Sequence, residues 1–403
     1  MIALDAALAR YLEVVKPLGA ESVPIDAALD RVLAEPAQAA VDLPAFSQTA
    51  VDGYAVRAAD IAAATTDRPV QLNIRGEIAA GARELPTALA TGQTMRILTG
   101  APLPPDCDAI VRQERVTRVD GHVAVSAPVE PGGDIRFQAE ELQRGAPLGQ
   151  AGQRVTPGLL AALAMAGVAA IRAHKRPRIS VLITGDELVP AGQPLQHGQV
   201  HDANGPLVRA WLLENRLPQP ELQYVRDEAG EVEAALGAAL HNADLVITTG
   251  GVSVGDRDYI PKVAEQLGAE RLFWKVAQKP GKPLYFARRN GCFLLGLPGN
   301  PAAVLIGLVF HARRVLEALA GSANPGPPLF PGLLAEELNP DRARTNLVRA
   351  RRTTGSGGVV ELHPLPRQGS HMLSNLQEAD ALVWVPPGDE PIEAGTLLQW
   401  TPL

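Results

Sequence analysis

The stretch TTGGVSVGDRDYI, residues 248–260, sets two adjacent glycines, a serine, a third glycine and two carboxylates directly behind the apolar run Leu245-Val246-Ile247. That run suits a buried strand, and from Asp258 the segment DYIPKVAEQLG resumes at helical spacing through Ile260, Val263, Ala264 and Leu267. A strand, a glycine loop and a helix are therefore expected. Gly250 and Gly251 let backbone N–H groups approach a ligand with no Cβ in the way, and the free N–H groups at a helix start favour an anion. Asp256 and Asp258 would repel a phosphate unless Mg2+ bridged the two, and they serve equally well as helix caps.

Other segments carry groups of the same kind. KVAQKPGKP concentrates Lys275, Lys279 and Lys282, with Pro280, Gly281 and Pro283 restricting the backbone, so an anion would be held with little entropy lost. Exposed lysines on a solvated turn are the plainer account of it. In LPGNPAA, Asn300 is a natural N-cap with Pro301 at the first helical position, behind the rigid pair Pro298-Gly299. Asp186 and Glu187 in TGDEL, and Asp227 in VRDE, stand at strand ends, where capping, metal binding and acid–base work are all open. Asp52-Gly53-Tyr54 with Arg57, and Thr99-Gly100 ahead of rigid prolines, form a second polar concentration. A turn at Asp52-Gly53 accounts for those two residues alone. Arg349 and the run QGSHML offer a guanidinium, the Ser370 hydroxyl and a backbone turn to an oxyanion, while His371 alone reads as a surface residue.

These residues need a frame. From about 176 to 320 short apolar strands alternate with helices, which predicts a doubly wound, mostly parallel sheet covered on both faces. Ligands bind such sheets beyond the carboxyl ends of the strands, where Thr184-Gly185-Asp186-Glu187, Asp227, Thr249-Gly250-Gly251 and Pro298-Gly299-Asn300-Pro301 all fall. VQLNIRGEIA, GQTMRILTG and HVAVSAPV predict a β domain over 41–140. Helical pieces flank it, and 1–40 with 141–175 are expected to form one discontinuous, helical linking domain. The N-terminal helix is expected to carry Leu4, Leu8, Leu12 and Val15 on one face. After the proline-rich NPGPPLFPG, the runs TNLVRARRTT, GVVELHPL, ALVWVPP and TLLQWTPL predict a β barrel or sandwich over 326–403, leaving 176–325 to the α/β domain. The fold class is thus multidomain, α/β plus β.

Composition bounds the function. A chain of 403 residues exceeds one usual hydrophobic core. A formal charge of −7 argues against general nucleic-acid binding, so any anion site must be a local gathering of Lys and Arg. Cys107 and Cys292 form no metal-ligand spacing and no disulfide framework, which points to a reducing cytoplasm. The longest apolar run, 159–171, is shorter than the roughly 20 residues that span a bilayer, and no membrane partner is expected.

Taken in order, DGYAVR, LTGAPLP, TGDEL, TTGGVSVGDRDY, KPGKP, LPGNPAA and GSHML resemble the molybdopterin molybdenumtransferases, the MoeA family, related to the E domain of gephyrin. The resemblance covers nearly the whole chain. It implies four domains, with a molybdopterin-binding α/β domain like MogA and MoaB, and an elongated homodimer whose site lies between the α/β domain of one subunit and the β domain of the other. It also implies a reaction in which adenylylated molybdopterin and molybdate give molybdenum cofactor and AMP, with Mg2+ required. Other cofactor-biosynthesis proteins are conceivable partners. The resemblance does not distinguish molybdate from tungstate.

Roles follow where the motifs match. Gly250, Gly251, Ser253, Pro298, Asn300 and Pro301 would hold the pterin dithiolene, and Lys279, Lys282, Arg349 and Ser370 the molybdate. Asp52, Thr99, Glu187, Asp227, Asp258, Lys275 and Lys279 would act around the pyrophosphate bond, with Asp227 and Asp258 nearest the Mg2+. Glu141, in AEEL, stands where the family commonly has Asp, so its catalytic part depends on a longer carboxylate reaching the site. Two other readings are adenylyl transfer to molybdopterin and a non-catalytic dimeric scaffold like the gephyrin E domain. The β domains with DGYAVR weigh against the first, and the acids with the lysine turn against the second.

Overall fold

The computed structural model describes all 403 residues except Glu84, Leu85, Val254, Asp256, Arg257 and Ser356. Asp256, weighed above beside Asp258, lies outside the described residues.

The α/β segment is built on six strands in the order Leu222–Val225, Ile179–Thr184, Leu245–Thr249, Cys292–Leu297, Tyr285–Arg289 and Glu270–Trp274. The first four run parallel, and Tyr285–Arg289 runs antiparallel to its neighbours on both sides. Both faces are covered, which is why these strands read as continuous apolar runs. Val181, Ile183, Leu245, Ile247 and Leu295 pack on one side with Trp211, Phe310 and Leu316. Leu182, Val246 and Leu294, the alternate positions, pack on the other side with Val232, Leu236 and Ile260.

The N-terminal helix, Leu4–Val14, joins the first of these cores and not the linking pieces. Its buried stripe is Leu4, Ala7, Leu8, Tyr11, continued by Val15, whereas Leu12 is exposed. Leu4, Leu8 and Leu12 step by four, which drifts off a 3.6-residue period, and the alternation of four and three through Tyr11 stays on the buried face.

Strand pairing makes the linking segment discontinuous: Ala20–Pro24 pairs with Ala170–His174, and Ala37–Gln38 with Pro147–Gly149. These ladders and the helix Pro157–Met165 share a small core around Leu33, Val155 and Leu163. The segment therefore holds more strand than its expected helical character allowed. Between its halves stands a six-stranded sheet spanning Gly53–Val125.

In the C-terminal segment the order Thr345–Thr354, Val360–Pro364, Phe330–Leu334, Leu397–Pro402, Ala381–Val385 closes back on Thr345–Thr354 as a five-stranded barrel. Phe330–Leu334 overlaps the end of the run read as a proline-rich boundary. Val276–Lys279, the start of the lysine turn, pairs with the long barrel strand at Gln278↔Thr345 and Lys279↔Asn346. The turn does join two strands of the α/β sheet in sequence, yet its own backbone is laid against the barrel. Among the described residues no helix is long and apolar enough to cross a membrane.

Candidate active site

Parallel strands put their carboxyl ends on one edge, so the loops after Thr184, Thr249 and Leu297 face a common cavity of about 560 Å³. Glu187, Gly251, Ser253, Asp258, Pro298, Asn300 and Pro301 line it, as the sequence led us to expect, and Asn204, His371 and Leu373 join them. Gly250 does not line it. A Cβ there would stand 2.7 Å from Thr184 Oγ1 and 2.8 Å from its carbonyl oxygen, at φ +91°. Gly250 is thus a glycine because a neighbouring strand end crowds it, not because a ligand does. The loop is pinned from behind by Trp274 Nε1, which donates to the Val252 carbonyl at 3.0 Å.

Two expected caps are not caps. Asn300 occupies the N-cap position of Pro301–Ile306 without a side-chain capping bond, and its Nδ2 donates to Ser370 Oγ at 3.0 Å. Asp258 likewise precedes Tyr259–Gln266 without capping it, and its Oδ2 accepts from the Gly255 N–H at 2.8 Å. Both side chains are spent on the cavity wall.

Asn204 was missed from sequence because it follows a dull run, GQVHDA. Its Nδ2 donates to the Gly299 carbonyl at 2.7 Å, while its buried Oδ1 has no partner. Asp202 is buried beneath, accepting from the Asn204 and Gly205 N–H groups and from Tyr224 O–H at 2.9 Å. The signal was available in the spacing Asp202-x-Asn204 at a helix start.

A second cavity of about 470 Å³ adjoins the first through Pro283 and the Asn300–Ser370 bond. Lys279, Lys282, Arg344, Gln368, Gly369 and Ser370 line it. Arg349, expected here, is 1% exposed. Its Nη2 donates to the carbonyls of Arg367 and Gly369, fixing the loop that carries Ser370, and its Nε and Nη1 have no partner. Burial lowers its pKa. The lysine turn itself rests on a buried chain of bonds. Gln278 Nε2 donates to the Gly281 carbonyl at 3.2 Å, Gln278 Oε1 meets His311 Nε2 at 2.8 Å, and His311 Nδ1 meets Tyr11 Oη at 2.9 Å. Because an amide oxygen only accepts, His311 carries its proton on Nε2 and Tyr11 donates to Nδ1. His311 lies in a π-helical turn, Gly307–Ala312, inside the helix that begins at Pro301. At Gly281, with φ +96°, a Cβ would stand 2.6 Å from Gln278 Nε2.

The remaining residues divide in two. Asp227 lines neither cavity, but its N–H donates to Asp186 Oδ1 at 3.1 Å, beside the first cavity's acids. Its pKa is raised by burial first, then by the charges of Asp186, Glu187 and Asp258. Lys275 also lines neither cavity; its Nζ lies 5.1 Å from the Trp274 ring centroid. Asp52, Thr99 and Glu141 stand apart from both. Asp52 Oδ1 accepts from Thr99 N–H at 2.8 Å and Thr99 O–H at 2.7 Å, and the backbone bond first, then the hydroxyl, lowers its pKa. Glu141 is exposed, with its N–H donated to the Leu43 carbonyl at 3.0 Å.

The raised pKa of Asp227 marks a place where negative charge is crowded. Among the described residues, however, no group of three or more His, Cys, Asp or Glu is arranged to hold a metal.

Three family profiles match the chain: "MoeA N-terminal region (domain I and II)" over residues 2–167, "Probable molybdopterin binding domain" over 180–318, and "MoeA C-terminal region (domain IV)" over 331–403. The chain is 34% identical to the molybdopterin molybdenumtransferase of Haemophilus influenzae over 95% of its length and 94% of the relative's. It is 32% identical to that of Bacillus subtilis over 99% and 93%. A crystal structure of a molybdopterin biosynthesis MoeA protein from Pyrococcus horikoshii superimposes with a TM-score of 0.82 at 28% identity, covering 100% of this chain and 99% of that one.

Proposed function

We infer the work of the two cavities from one premise: the chain belongs to the MoeA family of molybdopterin molybdenumtransferases. It is a transferase of molybdenum cofactor biosynthesis that inserts molybdenum.

The first cavity receives molybdopterin in adenylylated form, its polar edges read by Ser253, Asn300 and the backbone beside Gly251. The second receives molybdate, a tetrahedral dianion, between Lys279, Lys282 and Ser370, with Arg349 fixing the loop that carries Ser370. The observation that carries this reading is the join between the cavities, where Asn300 Nδ2 donates to Ser370 Oγ. A pterin-side residue and an oxyanion-side residue then answer to each other's ligand. Mg2+, held at Asp227 and Asp258 with the substrate phosphates, would offset charge on the pyrophosphate as AMP leaves. Glu187 and Asp258, which line the first cavity, would orient the attacking group.

Asp52, Thr99 and Glu141 line neither cavity. They reach the reaction if a second copy of the chain brings its β domain to this one, so the working unit is a homodimer with shared sites. Lys275, turned onto Trp274, positions the loop after Thr249 through that ring. The test is to mix the purified protein with adenylylated molybdopterin, Mg2+ and molybdate and to follow AMP release and metal incorporation together. AMP release independent of the oxyanion would be plain hydrolysis of the pyrophosphate bond and would sink the assignment of the second cavity.

A further inference from the structure

We propose that His371 carries a proton during metal insertion, from a thiol of the pterin dithiolene to the oxygen that molybdate gives up. This rests on reading the two cavities as the pterin and molybdate sites.

A tight turn brings the imidazole to the join between them. The Met372 N–H donates to the Gly369 carbonyl at 3.0 Å, which makes Ser370 and His371 the two central residues of the turn. The same carbonyl accepts from Arg349 Nη2 at 3.2 Å, so the turn is tied to a side chain that is itself buried. Its two central residues divide: Ser370 lines the second cavity and His371 the first. The His371 ring lies back across the turn, for a Cβ on Gly369 would stand 3.1 Å from its Cε1, and Gly369 lines the second cavity. The imidazole is exposed, and so open to what either cavity holds.

The reaction has work for such a group. Molybdate and a dithiol give a dithiolene-bound trioxo dianion and one water. Two Mo–S bonds form from sulfur lone pairs, one Mo–O bond breaks with its electron pair kept by oxygen, and molybdenum is neither oxidised nor reduced. Both thiol protons end on the departing oxygen. An ordinary thiol ionises at about pH 8.5, so near neutrality it needs a base, and the oxide it displaces needs an acid. Imidazole accepts a proton at one nitrogen and releases one again in this range of pH. His371 takes one thiol proton and hands it to the departing oxygen, and the other reaches that oxygen through solvent. Other titratable groups are placed less well. Glu187, His201 and Asp258 line the first cavity alone, and Lys279, Lys282 and Arg344 line the second alone, as cations.

His371→Gln keeps a polar side chain of similar reach that cannot carry a proton. With adenylylated molybdopterin, Mg2+ and molybdate, single-turnover metal incorporation by this variant should be at least tenfold slower at pH 7, while molybdate and pterin-nucleotide affinities stay within twofold. The rate of the starting protein should fall as acid protonates the imidazole, a limb that His371→Gln lacks, while the titrations of Glu187, His201 and Asp258 remain in both. Free imidazole should restore part of the rate to His371→Ala. Incorporation by His371→Gln within twofold of the starting protein overturns the proposal. A slower rate matched by an equal loss of molybdate or pterin affinity overturns it as well, since His371 would then only bind. If the starting protein incorporates no molybdenum, the reading of the cavities fails and this inference falls with it. If it does so and His371→Gln equals it, the cavities stand and only the role of His371 falls.

Discussion

Replacing His311 by Leu should destabilise the protein and loosen the lysine turn, with a pH signature that identifies the imidazole as the cause. His311, Tyr11 and Gln278 are each wholly buried. Leucine fills much of the same space but leaves the Tyr11 hydroxyl and Gln278 Oε1 without partners, and an orphaned buried polar group costs about 1–3 kcal/mol. The loss at neutral pH is then about 2–6 kcal/mol, reduced by whatever apolar contact leucine adds. Burial lowers the His311 pKa from the ordinary value of 6.5 to about 3, so the unfolded chain binds a proton that the folded one refuses. Stability that depends on a neutral His311 is present above the unfolded value and is lost as pH falls towards the folded one. Between pH 6.5 and 4.5 that loss is about 2–3 kcal/mol, at roughly 1.4 kcal/mol per unit. The leucine variant lacks this slope, and the stability gap between the two proteins should narrow by that amount. Urea unfolding at a series of pH values measures it, and molybdate affinity at pH 7.5, expected to fall as Gln278 releases the Gly281 carbonyl, ties it to the site. Parallel stability curves for the two proteins would refute the assignment of a neutral, proton-refusing His311.

Lys282→Ala should lose about 1.5–3 kcal/mol of molybdate affinity, the range for a hydrogen bond to a charged group, while pterin binding stays near its starting value. Equal losses of both in a paired titration would place the oxyanion elsewhere. Asp258→Asn should keep its bond to the Gly255 N–H and fold normally, yet release AMP slowly; full turnover at saturating Mg2+ would make Asp258 a loop residue only. Mixing inactive Asp52→Ala and Lys279→Ala proteins should restore part of the activity through heterodimers with one intact site. If labelled subunits exchange and no activity returns, the shared site is wrong.

The legibility of this chain has a clear limit. The branched runs at 179–184, 245–249 and 292–297 announced buried parallel strands, because a strand covered on both faces needs apolar residues at every position. The loops at their ends were legible for the same reason: glycine, proline and short polar residues mark where a strand stops and a helix starts. Ser253, Asp258, Pro298 and Asn300 were found in this way and do line one cavity. Leu12 was misread because stepping by four mimics a helical face for two turns before it drifts off. Phe330–Leu334 was missed because Pro331 and Gly332 argue against a strand, and only closure of the barrel gives that segment partners on both sides.

What the sequence determined by itself is everything that local period and local chemistry encode: the α/β alternation, the β segments around it, the family motifs and the two groups of polar residues they carry. Tertiary structure alone decided which of those residues meet. Tyr11 and His311 are 300 positions apart, and nothing near either one says that they share a bond beneath the turn at Gly281. Arg344 and Arg349 look alike in sequence, yet Arg344 lines a cavity just ahead of the long strand, whereas Arg349 is buried within that strand, on the face opposite Val348 and Ala350 and under the loop whose Arg367 and Gly369 carbonyls it bonds. A side chain's chemistry is fixed by its type, but its solvent, its partners and its charge are set by segments that reach it only when the chain is folded.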